Sequence, residues 1–187
     1  MNETTHSARS RFPTGTLWFG VALLIIGLPT QVSAQKVAGN EATLVSAQKV
    51  AGNEAQNKKL IRQVFEQWAS GNGNLFDLLT DDVQWTIAGS SPVSKTYTSK
   101  QQLINETVTP LTSRLATPIV PKIRGLYADG DVVVALWDGT AMAKNGQPYR
   151  NTYCWIMTLK NGRITHVVAF LDLIKYTNVL NGISDGN

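Results

Sequence analysis

The residue whose type and place most suggest chemistry is Asp172, at the end of the alternating run Ile164-Thr165-His166-Val167-Val168-Ala169-Phe170-Leu171-Asp172. A regular strand puts Ile164, His166, Val168, Phe170 and Asp172 on one face and Thr165, Val167, Ala169 and Leu171 on the other. If Phe170 faces a core or cavity, Asp172 shares its surroundings. A carboxylate among apolar neighbours is desolvated, and its raised pKa suits a general base working near neutrality. An acid paired with an arginine, or capping the following helix, explains the same residue without chemistry, and both readings stand. Upstream, Asn151, Tyr153, Trp155 and Met157 alternate with Arg150, Thr152, Cys154 and Ile156. The bulkier aromatic set is expected inside. There Tyr153 and Asn151 would donate hydrogen bonds to a carbonyl or enolate as negative charge develops. Tyrosine and tryptophan are also ordinary core fillers with a polar tip, the favoured reading for Trp155 and an equal one for Trp85.

Other titratable groups add little. Asp138, after Leu136-Trp137, would divide acid and base roles with Asp172 if their environments pushed the two pKa values apart. An aspartate at a strand end facing water is the simpler reading. His166 lies six residues from Asp172, roughly 20 Å along a strand at about 3.3 Å per residue, so the two form no direct dyad. His6 and His166 are the only histidines and Cys154 the only cysteine, which supplies neither a zinc site nor an intrachain disulfide. Cys154, between Tyr153 and Trp155, reads as an inert thiol. No metal and no cofactor are expected.

These residues need elements to hold them. Leu60, Ile61, Val64, Phe65 and Trp68 fall at helical spacing, opposite Lys58, Lys59, Arg62 and Glu66. Gly71-Asn72-Gly73-Asn74 ends that helix, and Leu75–Leu79 makes a short helical turn. Val83, Trp85 and Ile87 alternate as the inward face of a first strand. Ser99 with Gln102 forms a capping box for a helix whose apolar face is Leu103, Ile104, Val108 and Leu111, kinked at Pro110. Four long strands follow over 119–128, 132–143, 149–160 and 163–173, with turns at Asp129-Gly130-Asp131, Asn145-Gly146 and Asn161-Gly162. A short helix over 175–180 closes the chain. Helices followed by a meander make an α+β pattern in which a curved sheet wraps the helices.

Asp81-Asp82-Val83-Gln84-Trp85, Gly146-Gln147-Pro148-Tyr149-Arg150-Asn151-Thr152-Tyr153-Cys154-Trp155, and Asn161-Gly162-Arg163-Ile164 followed by Phe170-Leu171-Asp172, taken in this order, resemble the SnoaL-like branch of the nuclear-transport-factor-2-like (ketosteroid-isomerase-like) superfamily. The resemblance covers about 56–180. It implies a cone-shaped barrel, a curved antiparallel or mixed sheet around N-terminal helices, with a pocket for a small apolar carbonyl-type molecule. It also implies a homodimer through the outer sheet face, to which Val167, Ala169, Leu171, Cys154 and Ile156 would contribute. In SnoaL-like cyclases the acid ending the last strand resembles a base, which would make Asp172 catalytic, with Tyr153 and Asn151 as donors. Trp85, Asp138, Trp155, His166 and Phe170 would line the pocket. Such a fold hosts isomerases, cyclases, lyases and non-catalytic binding or interaction modules alike, so it does not settle function. Where the ketosteroid-isomerase pattern has a tyrosine and an aspartate, this chain has Val64-Phe65 and Thr86-Ile87-Ala88. Arg124, Asp138 and Asp172 lack the local spacing of the epoxide-hydrolase pattern. A third reading is a ligand-free homodimer whose cone is plugged by side chains, which a pocket under roughly 300 Å³ would favour.

Composition bounds the rest. The chain has 187 residues, 43% hydrophobic and 16% charged, with a net charge of +4. Its basic residues are scattered, with no stripe or motif for nucleic acid. Arg9 and Arg11, the apolar run Leu17–Leu28, Pro29 and Val32-Ser33-Ala34 make a three-part secretory leader, with cleavage expected after Ala34. Twelve apolar residues fall short of the roughly 20 that span a bilayer, so no membrane span is expected after cleavage. A secreted or periplasmic protein follows. Val32–Ala42 recurs as Val45–Ala55, and 35–55 is expected to be a flexible tail. The domain then occupies 56–181, and a flexible end 182–187.

Overall fold

A computed structural model describes residues 32–182. The leader expected over 1–34 lies almost wholly outside the described residues. The segment 35–55, expected to be a flexible tail, is instead helical. It forms the first part of α1 (Val32–Ala69), which runs unbroken into the predicted amphipathic stretch. The duplicated copies are rich in Ala, Gln, Lys and Glu, which favour helix. Side chains of residues 43–50 are exposed, and the arm meets the domain where Glu54 Oε1 accepts from the Gly130 backbone N–H at 2.8 Å. The expected boundary at Gln56 therefore coincides with no element boundary. Ile61, Val64 and Phe65 bury the inner face of the same helix.

A 3₁₀ turn (Leu75–Leu78) leads into β1 (Leu79–Ile87), longer than predicted, and β2 (Thr96–Tyr97). Ser99 Oγ accepts from Gln102 N–H at 3.1 Å and caps α2 (Lys100–Leu103). The helix continues as a π turn (Ile104–Val108) into α3 (Thr109–Thr112). Pro110 cannot donate to the Glu106 carbonyl, so the regular ladder fails at the predicted kink. Strands β3 (Val120–Asp129), β4 (Val132–Met142), β5 (Pro148–Lys160) and β6 (Arg163–Leu171) then form the meander, and α4 (Leu173–Asn181) ends it. Asn161 and Gly162 both adopt positive φ, 53° and 73°, in the tight turn between β5 and β6.

The six strands lie in the order β2-β1-β6-β5-β4-β3, with β1 parallel to β6 and every other pair antiparallel. The fold is α+β with a mixed, cone-like sheet, but the sheet stays open rather than closing into a barrel. One irregularity controls its last strand. Ile164 pairs with Leu159 and His166 with Thr158, so Thr165 has no counterpart on β5. This bulge shifts the alternation by one residue. Ile164 points inward before it, and Val167 and Ala169 are buried after it, while His166, Val168 and Phe170 are exposed. The face expected to carry His166, Phe170 and Asp172 inward is thus turned out beyond Thr165. On β5, which lacks a bulge before Thr158, the expected inward set of Asn151, Tyr153, Trp155 and Met157 is buried.

Removing Thr165 would leave a regular strand in which Ile164, Val167 and Ala169 still point inward and His166 and Phe170 outward, because the residue removed is the one without a counterpart on β5. Deletion of Thr165 should therefore change urea-unfolding stability by no more than about 1 kcal/mol. A loss of about 3 kcal/mol or more would mean that Thr165 is a paired strand residue whose removal turns Val167 and Ala169 outward.

Candidate functional site

Between the concave face of the sheet and the α2–α3 helix lies a cavity of about 560 Å³. This exceeds what a plugged cone would leave. One wall is aromatic. Trp68 comes from α1, Phe76 from the 3₁₀ turn, Trp85 from β1, Trp137 from β4, and Tyr153 and Trp155 from β5. The rings brace one another. Trp137 stacks on Tyr153 with centroids 4.0 Å apart and meets Trp155 edge-on at 4.7 Å, while Trp85 meets Trp155 edge-on at 5.1 Å. Each such pair contributes about 0.5–1.5 kcal/mol beyond simple burial, so the wall is stiff as well as apolar. Gly139 makes the stack feasible, because a Cβ there would lie 3.0 Å from the Trp137 ring and 3.1 Å from the Tyr153 ring. The opposite wall is aliphatic, with Leu103, Val108, Leu111 and Leu115. Ala169, Leu171 and the α4 residue Tyr176 also line it, and Asn74, Thr107, Thr112 and Thr117 add neutral polar groups.

Among the described residues, no carboxylate, imidazole, amine, guanidinium or thiol lines this cavity. Its titratable groups are two phenols. Burial, reinforced by the neighbouring Tyr149, pushes Tyr153 well above the ordinary tyrosine value. Burial also raises Tyr176, with Tyr97 and Tyr149 adding to it and Arg114 opposing. Both are therefore neutral hydrogen-bonding groups at physiological pH. Tyr176 Oη donates to the Thr107 carbonyl at 3.0 Å, which ties α4 to the π turn. Trp137 Nε1 and Asn74 Oδ1 are buried without a hydrogen-bond partner among the described residues, and both residues line the cavity. Among the described residues no cluster of His, Cys, Asp and Glu has the makings of a metal site.

The structure separates the sequence-predicted residues into two groups. Trp85, Tyr153 and Trp155 line the cavity. The others do not. Asp172 is exposed and is the N-cap of α4, where Oδ1 accepts from Ile174 N–H at 3.0 Å and Lys175 N–H at 3.1 Å. This is the capping alternative, and it corrects the expectation of a carboxylate inside the cone. β6 ends before Asp172, and the helix start captures the side chain. Asn151 is buried but points to α4. Its Oδ1 accepts from Asp172 N–H at 2.9 Å, and its Nδ2 donates to the Asp172 carbonyl at 2.9 Å and to Tyr149 Oη at 3.1 Å. Both amide hydrogens are engaged, so Asn151 has none left for a ligand. Asp138 lies on the outer face, accepting from Thr152 Oγ1 at 2.8 Å with Arg124 at 3.8 Å. It sits within β4 rather than at a strand end. Beyond the bulge, His166 and Phe170 face outward, with His166 Nδ1 3.0 Å from Thr165 Oγ1.

Trp68 and Trp137 were missed as wall residues. The signal was present for Trp137, which shares strand parity with the buried Val133 and Ala135. Tyr176 falls four residues past Asp172, one turn into the helix that Asp172 caps.

A SnoaL-like domain model matches residues 61–167, more than half of the chain. The chain belongs to the SnoaL-like domain family. Solved structures share the fold at low identity. An NTF2-like protein of unknown function from Burkholderia pseudomallei K96243 is 17% identical with a TM-score of 0.54, covering 66% of this chain and 96% of its own. Bal32a, from a soil-derived mobile gene cassette, is 17% identical with a TM-score of 0.57, covering 68% and 98%. TerC, co-crystallised with polyporic acid, is 15% identical with a TM-score of 0.53, covering 67% and 98%. No curated protein sequence matches the chain. In this chain the described residues line the hollow with neutral groups.

Replacing Asp172 by alanine should remove two hydrogen bonds from the first turn of α4 and cost about 1 kcal/mol, with asparagine or serine recovering most of it. Urea unfolding measures this. Equal stability for the alanine and asparagine variants would remove the capping assignment.

Proposed function

We propose that this SnoaL-like domain binds a small, flat, uncharged apolar molecule in its cavity and performs no proton abstraction on it. One observation carries the reading: the wall holds six aromatic side chains and no group able to act as a base near neutral pH. A charged ligand would lose its hydration there with no counter-ion in the lining. A flat apolar ligand gains from stacking and from burial on both faces. The isomerase or cyclase reading required an acid inside the cone, and Asp172 stands outside it. That TerC, of the same fold, was co-crystallised with a small molecule supports a binding role for the hollow.

Phenanthrene and phenanthrene-9-carboxylate separate the possibilities. Phenanthrene should quench the fluorescence of the wall tryptophans saturably, and the carboxylate should bind at least about tenfold more weakly. Absence of saturable quenching, or tighter binding of the carboxylate, would overturn the neutral pocket.

The proposal includes export and pairing. A leader cleaved after Ala34 delivers the protein outside the cytoplasm, and among the described residues no helix is long and apolar enough to cross a membrane. Two copies then pair through the outer sheet face. Of the residues expected there, Val167 and Ala169 are buried inside and Leu171 lines the cavity, whereas Cys154 and Ile156 remain on the outer side. Val168 and Phe170, turned out by the bulge, join Ile156 in an exposed apolar patch. Protein exported from its full-length precursor should begin at Gln35 and sediment as a dimer, with Ile156→Lys giving monomers. Another N-terminus would refute the cleavage site, and a wild-type monomer the pairing.

A further inference from the structure

Tyr149, Asn151 and Tyr153 share the inward face of β5, and all three are buried. Tyr149 Oη and Tyr153 Oη lie 2.6 Å apart, and Asn151 Nδ2 is 3.1 Å from Tyr149 Oη. Tyr153 alone of the three lines the cavity. A polar chain thus runs from the seat of α4, through a buried amide and a buried phenol, to a phenol in the ligand wall.

The amide orientation gives this chain a direction. Asp172 N–H is a donor, so the amide atom facing it is the oxygen. The Asp172 carbonyl is an acceptor, so the atom facing it is the nitrogen. The two backbone groups together leave Asn151 no freedom to flip. Its second N–H is therefore aimed at Tyr149 Oη, which must accept it. A hydroxyl that accepts a hydrogen bond is polarised into a better donor, and its neighbour at 2.6 Å is Tyr153 Oη. When Tyr149 donates to Tyr153, the hydrogen of Tyr153 is released toward the cavity.

We infer that Asn151 is a positioning residue whose clamped amide sets the hydrogen-bond direction Asn151 to Tyr149 to Tyr153, so that Tyr153 presents its O–H to an acceptor oxygen on the ligand. The inference rests on the neutral-pocket reading and narrows its ligand to an uncharged aromatic ketone, aldehyde or quinone-type oxygen. Tyr153 keeps its proton because burial disfavours the phenolate. Trp137, cross-strand partner of Tyr153 and stacked on it, brings a second buried donor, an indole N–H that lacks a partner among the described residues. The same amide that orders the phenols also fastens the first residue of α4. Ligand preference and the seating of that helix are therefore joined at one side chain.

The test uses two probes of nearly equal shape, 9-phenanthrenecarbaldehyde and 9-vinylphenanthrene, with affinities read by tryptophan quenching. Wild-type protein should favour the aldehyde by about tenfold, the worth of one net hydrogen bond. It should also lower the carbonyl stretching frequency of the bound aldehyde. Tyr153→Phe should abolish both the preference and the frequency shift while still binding the vinyl probe. Asn151→Asp, charged or protonated, has no hydrogen to spare for Tyr149, so the chain reverses and the aldehyde preference disappears. If that variant does not fold, Tyr149→Phe decides. It should keep or slightly reduce the preference, whereas an increase would mean that Tyr153 had been donating to Tyr149, which overturns the inference. A purely structural Asn151 would weaken both probes equally when replaced, and that outcome overturns it too. Wild-type protein that binds both probes equally refutes the proton direction and leaves the pocket standing. Wild-type protein that binds neither refutes the pocket itself.

Discussion

A single unpaired residue in β6 governs what the cavity contains. Thr165 occupies a position with no partner on β5, and a strand with one extra residue presents its opposite face from there on. On one side of the bulge Ile164 packs inward; on the other, Val167 and Ala169 do so. Had the strand stayed regular, the imidazole of His166 would occupy the interior. A chemically active lining and an inert one differ here by one residue of register. The parallel neighbour accommodates the offset, since β1 passes from its Leu79–Ile164 pair to its Gln84–His166 pair through four intervening residues. Arg163 reinforces this corner by donating to the Leu79 carbonyl at 2.7 Å and the Asp77 carbonyl at 3.2 Å.

The cavity persists because its walls cannot relax into it. The tryptophans and Tyr153 hold one another in stacked and edge-on pairs, and closing the space would break several such contacts to form a few aliphatic ones. Facing them, the helical wall is interrupted by its π turn. There Thr107 Oγ1 bonds back to the Leu103 carbonyl at 2.7 Å, and the Thr107 carbonyl receives Tyr176 Oη. The turn that Pro110 disrupts is thereby pinned by α4. Seating of α4 in turn depends on the Asp172 cap and the Asn151 clamp. The aromatic wall, the kinked helix and the final helix form one mechanical unit around the hollow.

Much of this was legible from residue types. The bounds of β3, β4 and β5 to within a residue, the Ser99 cap, the Pro110 kink and the inward set on β5 follow from periodicity and turn chemistry, which are local. The hollow followed from counting layers, since a sheet curving around helices leaves space wherever side chains do not meet. Parity on β6 was not legible, because a bulge at an unremarkable threonine has no local signature. Asp172 was ambiguous for a related reason. An aspartate between a strand and a helix reads equally well as the last strand residue or the first cap, and its fate turns on where the ladder stops. The duplicated copies misled through their glycines and asparagines, which suggest flexibility, although the Ala-, Gln- and Lys-rich remainder sustains a helix continuous with a well-packed one.

What separates binding from catalysis within this fold is the placement of charge, and the placement here is consistent. Asp138, Asp172 and His166 all lie on the outer side, each with a partner there: Thr152 for Asp138, the first turn of α4 for Asp172 and Thr165 for His166. The interior retains polar atoms, but they are neutral and directional: an amide, phenols and an indole N–H. Burying such groups is costly unless each is matched, and Asn151 is matched three times over. Among the described residues the unmatched atoms, the donor Trp137 Nε1 and the acceptor Asn74 Oδ1, both belong to residues lining the hollow. A pocket with fixed donors and no base recognises an oxygen without attacking the carbon that bears it, because orientation alone moves no proton.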